Sequence, residues 1–445
     1  MYDLIILGAG PAGYVAAEHA GKHGRKILLI EKDKLGGVCL NRGCIPTKAF
    51  LNSAKLYEHA KRGEPFGVTC KDIEFDYSVM KARTEKVQET LVNGVTGMMK
   101  RAKAEVVHGV AEVLSRTSVK VGSETYEGRN LLLCSGSRPA HPPIPGLKDN
   151  PNVVDSTGML AATKMVDHLI VIGGGVIGIE FATFYAMLGK KVTVIEMLPQ
   201  VCGAAEKEFA AIVQKKLESR GATIHLNARV SKVEGKKVFF TDSTGKEQTA
   251  AADMILSATG RVANLDGLGY ENLNIAIEKN RIVVNERAQT SAPNVYAAGD
   301  VTGKIQLAHF ASRQATVAVN NMFGIPDICR EDAIPSAVYG DPELASVGLT
   351  EAQAKAKGIK YRAVKMPLAA SGRFLAETEG DRGTVKAILG ERDEVLGMHV
   401  VGPYASEMIG AAAVMIESEL RAQDVQQIVF PHPTVAEIMK DIMFM

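Results

Sequence analysis

Charge of one sign is what this chain most conspicuously lacks: 52 lysines and arginines stand against 50 aspartates and glutamates, a formal net charge of +2. The basic excess that binding to nucleic acid or an anionic membrane selects for is missing, so neither is expected as a partner. Cysteine is scarce, six in 445 residues, too few for the disulfide framework of a secreted protein. No basic segment precedes the apolar N-terminal stretch, whose first charge is Asp3, and no signal peptide is expected. One run, residues 169–189 with Glu180 as its only interior charge, has the length of a bilayer span. Gly173, Gly174 and Gly175 break it, and a strand, a turn and a helix account for the same residues. A cytoplasmic location is therefore expected. Hydrophobic residues at 46% and charged residues at 23% exclude wholesale disorder. The length calls for two or three domains of α/β class.

Glycine is plentiful, with 43 residues, and it exposes an internal repeat. At one constant offset Gly8, Gly10 and Gly13 fall on Gly173, Gly175 and Gly178, Gly24 falls on Gly189, Lys26 on Lys191 and Glu31 on Glu196. Each copy predicts an apolar strand (4–7, 169–172), a glycine turn, a helix (13–22, 178–188) and a second strand (27–30, 192–195) leading to a glutamate. This is the dinucleotide-binding βαβ unit. Its first glycine permits the tight turn, its second lets backbone approach the pyrophosphate, and its third lets the helix pack closely on the strand. The pyrophosphate then meets free amides at a helix N-terminus, and the glutamate accepts the ribose hydroxyls. Because Glu196 is acidic and no arginine stands there to meet a 2′-phosphate, the second copy is expected to prefer NAD to NADP.

Segments 131–139 and 254–261 read as matching strands returning the chain to each sheet, and 294–300 as another buried strand. From about residue 331 the pattern changes to an α+β unit, with strands at 336–339, 385–388 and 395–401 and helices at 405–416 and 434–443.

Two local constellations carry chemistry. In Gly36-Gly37-Val38-Cys39-Leu40-Asn41-Arg42-Gly43-Cys44-Ile45-Pro46-Thr47-Lys48, the two cysteines can meet if the backbone coils between them, which Gly43 favours. Pro46 suits the first turn of a helix, and a thiol at that helix's N-terminus is biased toward the thiolate. A pair of buried core cysteines remains an alternative reading. Half of a metal site is another, although no Cys or His pair at zinc spacing completes it, and no metal is expected. Near the C-terminus lies Pro431-His432-Pro433-Thr434-Val435-Ala436-Glu437. The two prolines restrict the backbone around His432, while Thr434 and Glu437 have the spacing of a helix capping box.

Taken together, GGVCLNRGCIPTK between two dinucleotide folds and HPTVAE near the end resemble the flavoprotein disulfide reductases, and within them the dihydrolipoamide dehydrogenases, over nearly the whole chain. The resemblance implies FAD in the first fold, NAD in the second and a C-terminal α+β domain forming a homodimer. The corresponding domains are 1–140 and 265–330 for FAD, 141–264 for NAD and 331–445 for the interface. It implies that Cys39 exchanges with substrate, that Cys44 is the charge-transfer thiol against the flavin, and that Lys48 near the flavin pairs with Glu180 across the nicotinamide pocket. His432 would be the base serving the disulfide of the other subunit, oriented by Glu437. Asp300 would bind the ribitol and Leu307, Ala308 and His309 would line the flavin. Ala111 and Val230 would meet the two adenines through backbone atoms. Gly37, Ser135, Gly136 and Gly260 complete the nucleotide-binding set with the glycines and glutamates of the repeat.

The implied reaction is oxidation of dihydrolipoyl groups, carried by the acyltransferase or carrier proteins of 2-oxoacid dehydrogenase or glycine cleavage complexes, with reduction of NAD. Two positions depart from the family pattern. Phe430 stands where a histidine is usual, and Ala263 interrupts the usual GRxPN segment. The relatives that share the cysteine motif fit less well. Glutathione reductases need arginines where Glu196 stands; mercuric reductases and larger thioredoxin reductases need cysteines near the C-terminus, whereas the last here is Cys329. A purely non-catalytic docking protein would have no use for Cys39, Cys44 and His432 together.

Overall fold

The computed structural model describes residues 1–445, which divide into two compact units. The first comprises Met1–Ala49, Ser78–Ala140 and Gly260–Arg330. Its centre is a parallel sheet in the order Glu105–His108, Ile27–Glu31, Tyr2–Leu7, Glu124–Leu133 and Val295–Ala297. Residues 4–7 and 27–30 are apolar throughout because both sheet faces are covered, one by helices and the other by the antiparallel strands and the 265–284 segment, and Leu4, Ile5, Ile6, Leu28 and Leu29 are wholly buried. The early half of Glu124–Leu133 leaves this sheet to pair antiparallel with Ser118–Val121, which pairs in turn with Ala111–Ser115. On one face the glycine-turn helix Pro11–Lys22 packs against Ala308–Met322. Small side chains (Ala16, Ala17 and Ala20 on one, Ala311, Ala315 and Ala318 on the other) share one core there and let the helices approach closely.

The second unit comprises Phe50–Tyr77, His141–Thr259 and Glu331–Met445. It repeats the parallel arrangement with Thr223–His225, Lys191–Ile195, His168–Ile172, Met254–Ser257 and Val153–Val154, and adds an antiparallel meander, Arg229–Glu234, Lys237–Thr241 and Glu247–Ala251. The helix Val176–Met187 is buried along nearly its whole length, which explains its hydropathy without a membrane. No helix is long and apolar enough to cross one. The C-terminal part is a five-stranded antiparallel sheet, Ser336–Val338, Leu344–Gly348, Val395–Val401, Thr384–Gly390 and Tyr361–Pro367. The helix Ala405–Glu417 covers it, and the two share one apolar core.

Two expectations need correction. Segments 131–139 and 254–261 are not single strands. Each ends at Leu133 or Ser257, turns at Gly136 (φ 68°) or Gly260 (φ 102°), and resumes as a strand of a separate two-stranded link, Ser137–Pro139 with Arg261–Ala263. Nor is 434–443 a single helix. It starts as a 3-10 turn, Val435–Glu437, becomes helical over Ile438–Asp441 and tightens again at Ile442–Phe444. Val435, Ile438, Met439, Ile442 and Met443, at the spacing of one helix face, all reach the C-terminal core, so that face stays buried while the winding tightens at both ends.

Candidate active site

In the first copy of the repeat, Glu31 ends a buried strand and stays buried itself. A carboxylate removed from water needs donors. Its Oε2 accepts the Ala9 amide at 2.7 Å and its Oε1 the Asp33 amide at 2.9 Å. Glu196 does the same with Gly174 at 2.5 Å and Leu198 at 2.7 Å. The glutamates thus brace the glycine turns from below. At Gly13 an added Cβ would lie 1.8 Å from the Gly8 carbonyl oxygen, and at Gly178 it would lie 2.0 Å from that of Gly173, so each helix rests directly on its turn. The helix caps Gly10 and Gly175 are different. No side chain caps either helix; a Cβ at Gly175 would meet nothing within 4 Å, and one at Gly10 only the Gly37 Cα at 3.9 Å. Uncapped first-turn amides with room in front of them fit a dinucleotide pyrophosphate at both places.

The remaining residues expected at the flavin gather in the first unit. Asp300 opens a 3-10 turn after Gly299. Its Oδ2 accepts from the Ser137 hydroxyl at 2.5 Å, and that hydroxyl accepts from Arg261 Nε at 2.8 Å. Ser135 donates to the Asn264 carbonyl oxygen at 2.8 Å. Leu307 caps the helix that Ala308 and His309 begin, and Ala111 begins a strand. Ala263 keeps its place by pairing with Ser137 across the two-stranded link. In the second unit Val230 sits at the bulge of the meander's first strand.

Cys39 lies in the short helix Gly37–Arg42, and Cys44 is the first residue of the helix Cys44–Lys61; Gly43 between them makes the bend. Both are free thiols, partly buried, and hydrogen-bonded to each other. That bond, with burial next, holds the Cys39 thiol far above its ordinary pKa, while the Lys48 ammonium pulls it down. A dithiol that shares a proton in this way is close enough to exchange with a disulfide. Tyr14, on the first glycine-turn helix, faces the same pair: burial, then the charges of Cys39 and Cys44, raises its hydroxyl pKa. Sequence reasoning missed Tyr14, whose one signal was its position directly after Gly13. It also missed Ser137 as the support for Asp300.

In the second unit Glu180, 3% exposed, accepts the Tyr339 amide at 3.0 Å. Burial, then the Glu180 charge, pushes the nearby Cys202 thiol up to about 12. Lys48 and Glu180 belong to different units. His432 is 80% exposed, and its Nδ1 lies 2.9 Å from Glu437 Oε1. The same carboxylate takes the Thr434 amide on Oε2 at 2.8 Å. Its two oxygens therefore serve the capping and the orienting role at once, and the Thr434 amide, then His432, hold Glu437 below the usual carboxylate range. Phe430 turns to the C-terminal apolar core and packs against it, partly buried.

The profile described as pyridine nucleotide-disulphide oxidoreductase matches residues 2–315, and that of the family's dimerisation domain matches residues 334–443. The chain belongs to this family. Among its relatives, the dihydrolipoyl dehydrogenase of Mycoplasma pneumoniae is 38% identical, covering 99% of this chain and 97% of that protein. The solved structure of LpdA from Mycobacterium tuberculosis superposes with a TM-score of 0.91 at 26% identity, covering 99% of this chain and 98% of its own. The HOCl-induced flavoprotein disulfide reductase RclA from Escherichia coli has a TM-score of 0.87 at 29% identity, covering 100% of both chains. As an oxidoreductase of this family the chain uses FAD and NAD. Its α/β fold is two Rossmann-like dinucleotide-binding domains followed by the α+β dimerisation domain.

Proposed function

We infer that the chain is an NAD-dependent dihydrolipoyl dehydrogenase, oxidising dihydrolipoyl groups to the cyclic disulfide and reducing NAD to NADH. The observation that carries this reading is the hydrogen-bonded Cys39–Cys44 pair at the start of a helix, in a chain 38% identical to dihydrolipoyl dehydrogenases over almost its full length. Residues 1–140 and 265–330 would hold FAD, 141–264 NAD, and 331–445 the homodimer interface. The glycine turns with Glu31 and Glu196 would bind the two nucleotides, Asp300 and Leu307–His309 the flavin end. When bound, FAD supplies a two-electron path from the dithiol to the nicotinamide.

The chain's own steps start from the Cys39–Cys44 disulfide. His432 Nε2 takes the proton of one substrate thiol, while Glu437 fixes Nδ1 and stabilises the imidazolium. The substrate thiolate attacks Cys39 Sγ; a substrate–Cys39 bond forms as the Cys39–Cys44 bond breaks, and Cys44 leaves as thiolate. The second substrate thiol then displaces Cys39, its proton passing to the departing Cys39 sulfur, which closes the lipoyl disulfide and leaves the protein pair reduced by two electrons. The exposure of His432 supports a base presented by one chain to the disulfide of a second copy. Lys48 would lie near the flavin, and Glu180 at the nicotinamide. Dihydrolipoyl groups on the carrier proteins of a cytoplasmic multienzyme complex are the proposed substrates.

An anaerobic titration of the purified yellow protein with dihydrolipoamide, followed by NAD, tests this. A long-wavelength charge-transfer band followed by NADH formation is the expected result. Flavin reduced by NADH but indifferent to dihydrolipoamide would overturn the substrate and send the search to other disulfides.

A further inference from the structure

The helix that starts with Cys44 runs on for 18 residues to Lys61, and its later turns belong to the second unit. Cys44, Lys48, Lys55 and Glu58 succeed one another at spacings of four, seven and three residues, which puts all four within about 80° of arc on one helix face. On that face Glu58, 7% exposed, is gripped on both oxygens by Arg220, donating from Nε at 2.8 Å and from a terminal nitrogen at 2.6 Å. The Arg220 side chain is 3% exposed. It ends the helix Lys207–Ser219 and also donates to the Asp341 carbonyl oxygen at 2.6 Å and to the Asp341 carboxylate. One turn earlier Lys55 Nζ lies 3.3 Å from Glu343, whose other oxygen accepts the Ser406 amide at 3.0 Å and hydroxyl at 2.7 Å. The charged face is thus tied to two other helices and to the 341–343 turn.

A buried charge array of this kind is a costly way to add stability, since apolar packing would serve as well, and a directional grip is what it supplies instead. We propose that Arg220, Glu58 and Asp341, seconded by Lys55 and Glu343, are positioning residues that fix the rotation of the dithiol helix about its axis and so the placing of Lys48 at the cysteine pair. From Lys48 to Glu58 is about 15 Å of continuous helix, a length over which a turn imposed at one end is carried to the other. The Lys48 charge acts on Cys39, so a slack helix weakens that influence and leaves Cys39 less readily ionised. This rests on the cysteine pair being the redox centre and not on what substrate reduces it.

The test is the pH profile of Cys39 alkylation by iodoacetamide in prereduced holoenzyme, read by mass spectrometry in a Cys70→Ser background that removes the exposed thiol. Glu58→Gln and Arg220→Met should move the profile upward by about half a pH unit, slowing alkylation at neutral pH roughly threefold. Arg220→Lys should recover part of the shift. Lys55→Met, at a half-buried site, should give a smaller shift in the same direction and decides the matter if the Arg220 variant fails to fold. Lys386→Met breaks another buried cluster in the second unit, with Glu206, Glu208 and Glu351, and should lower the melting temperature without moving Cys39. A folded Glu58→Gln protein with the parent profile, or an equal shift in Lys386→Met, overturns the proposal.

Discussion

In the first copy of the repeat, Gly36 donates its amide to the Ala9 carbonyl oxygen at 2.9 Å; in the second, Cys202 donates to Gly174 at 2.8 Å. Gly36 and Gly37 have φ of 93° and 61°, Cys202 and Gly203 both have 60°, so the same turn recurs with one residue of slip. Beyond that turn the two copies diverge. The first passes into the short helix that carries Cys39, the second into Lys207–Ser219. The cysteine of the second copy is buried, with its thiol held up at about 12, whereas Cys39 and Cys44 are partly buried and hydrogen-bonded to each other. The cradle for a nucleotide was copied; the reactive sulfur chemistry belongs to one copy because only there does a dithiol stand at a helix start beside Lys48.

The strongest way to break this contrast is to remove sulfur from each copy. Cys39→Ser or Cys44→Ser should abolish dihydrolipoamide oxidation while NADH-driven reduction of an artificial acceptor persists, whereas Cys202→Ser should leave both assays within about twofold. His432→Gln should fall between, lowering dihydrolipoamide turnover by about 10²–10⁴-fold. Equal losses from Cys202→Ser and Cys44→Ser would erase the distinction.

A finer cut separates the two jobs of glycine within the second copy. Gly178→Ala places a Cβ 2.0 Å from the Gly173 oxygen and should cost about 1–3 kcal/mol of stability by thermal unfolding. Gly175→Ala meets nothing in the protein; its melting temperature should hold while the Kd for NAD rises roughly tenfold or more. A Gly175→Ala protein that binds NAD like the parent would move the pyrophosphate elsewhere.

Smaller effects should distinguish the two glutamates. Glu196→Gln is expected to weaken NAD about tenfold and leave FAD retention alone, and Glu31→Gln the reverse, since each loses a charge-assisted acceptor at one nucleotide. Equilibrium dialysis of both variants against both nucleotides decides it. The smallest signal concerns Glu437. Its folded pKa is depressed, so its contribution to stability is present above the ordinary carboxylate pKa of about 4.3 and is lost as pH falls through the depressed value. The drop in melting temperature caused by Glu437→Gln should therefore be seen at pH 7 and fade on acidification below about pH 4.

The repeat, the dithiol and the histidine with its carboxylate were legible from the chain because each is local. Helical period, turn glycines and a capping spacing place residues a few positions apart with no help from the rest of the fold, and His432 with Glu437 is such a case. The split of 131–139 and of 254–261 was not legible: apolar character continues across Cys134 and Ala258, and only the competing two-stranded link ends the strands. Nor could Tyr14 be assigned to the dithiol, or Ser137 and Arg261 to Asp300. The grip of Arg220 on Glu58 and Asp341 joins residues more than a hundred positions apart. Partners at that separation are chosen by sheet order and helix packing, and a buried charge among them records only after folding which other charge came within reach.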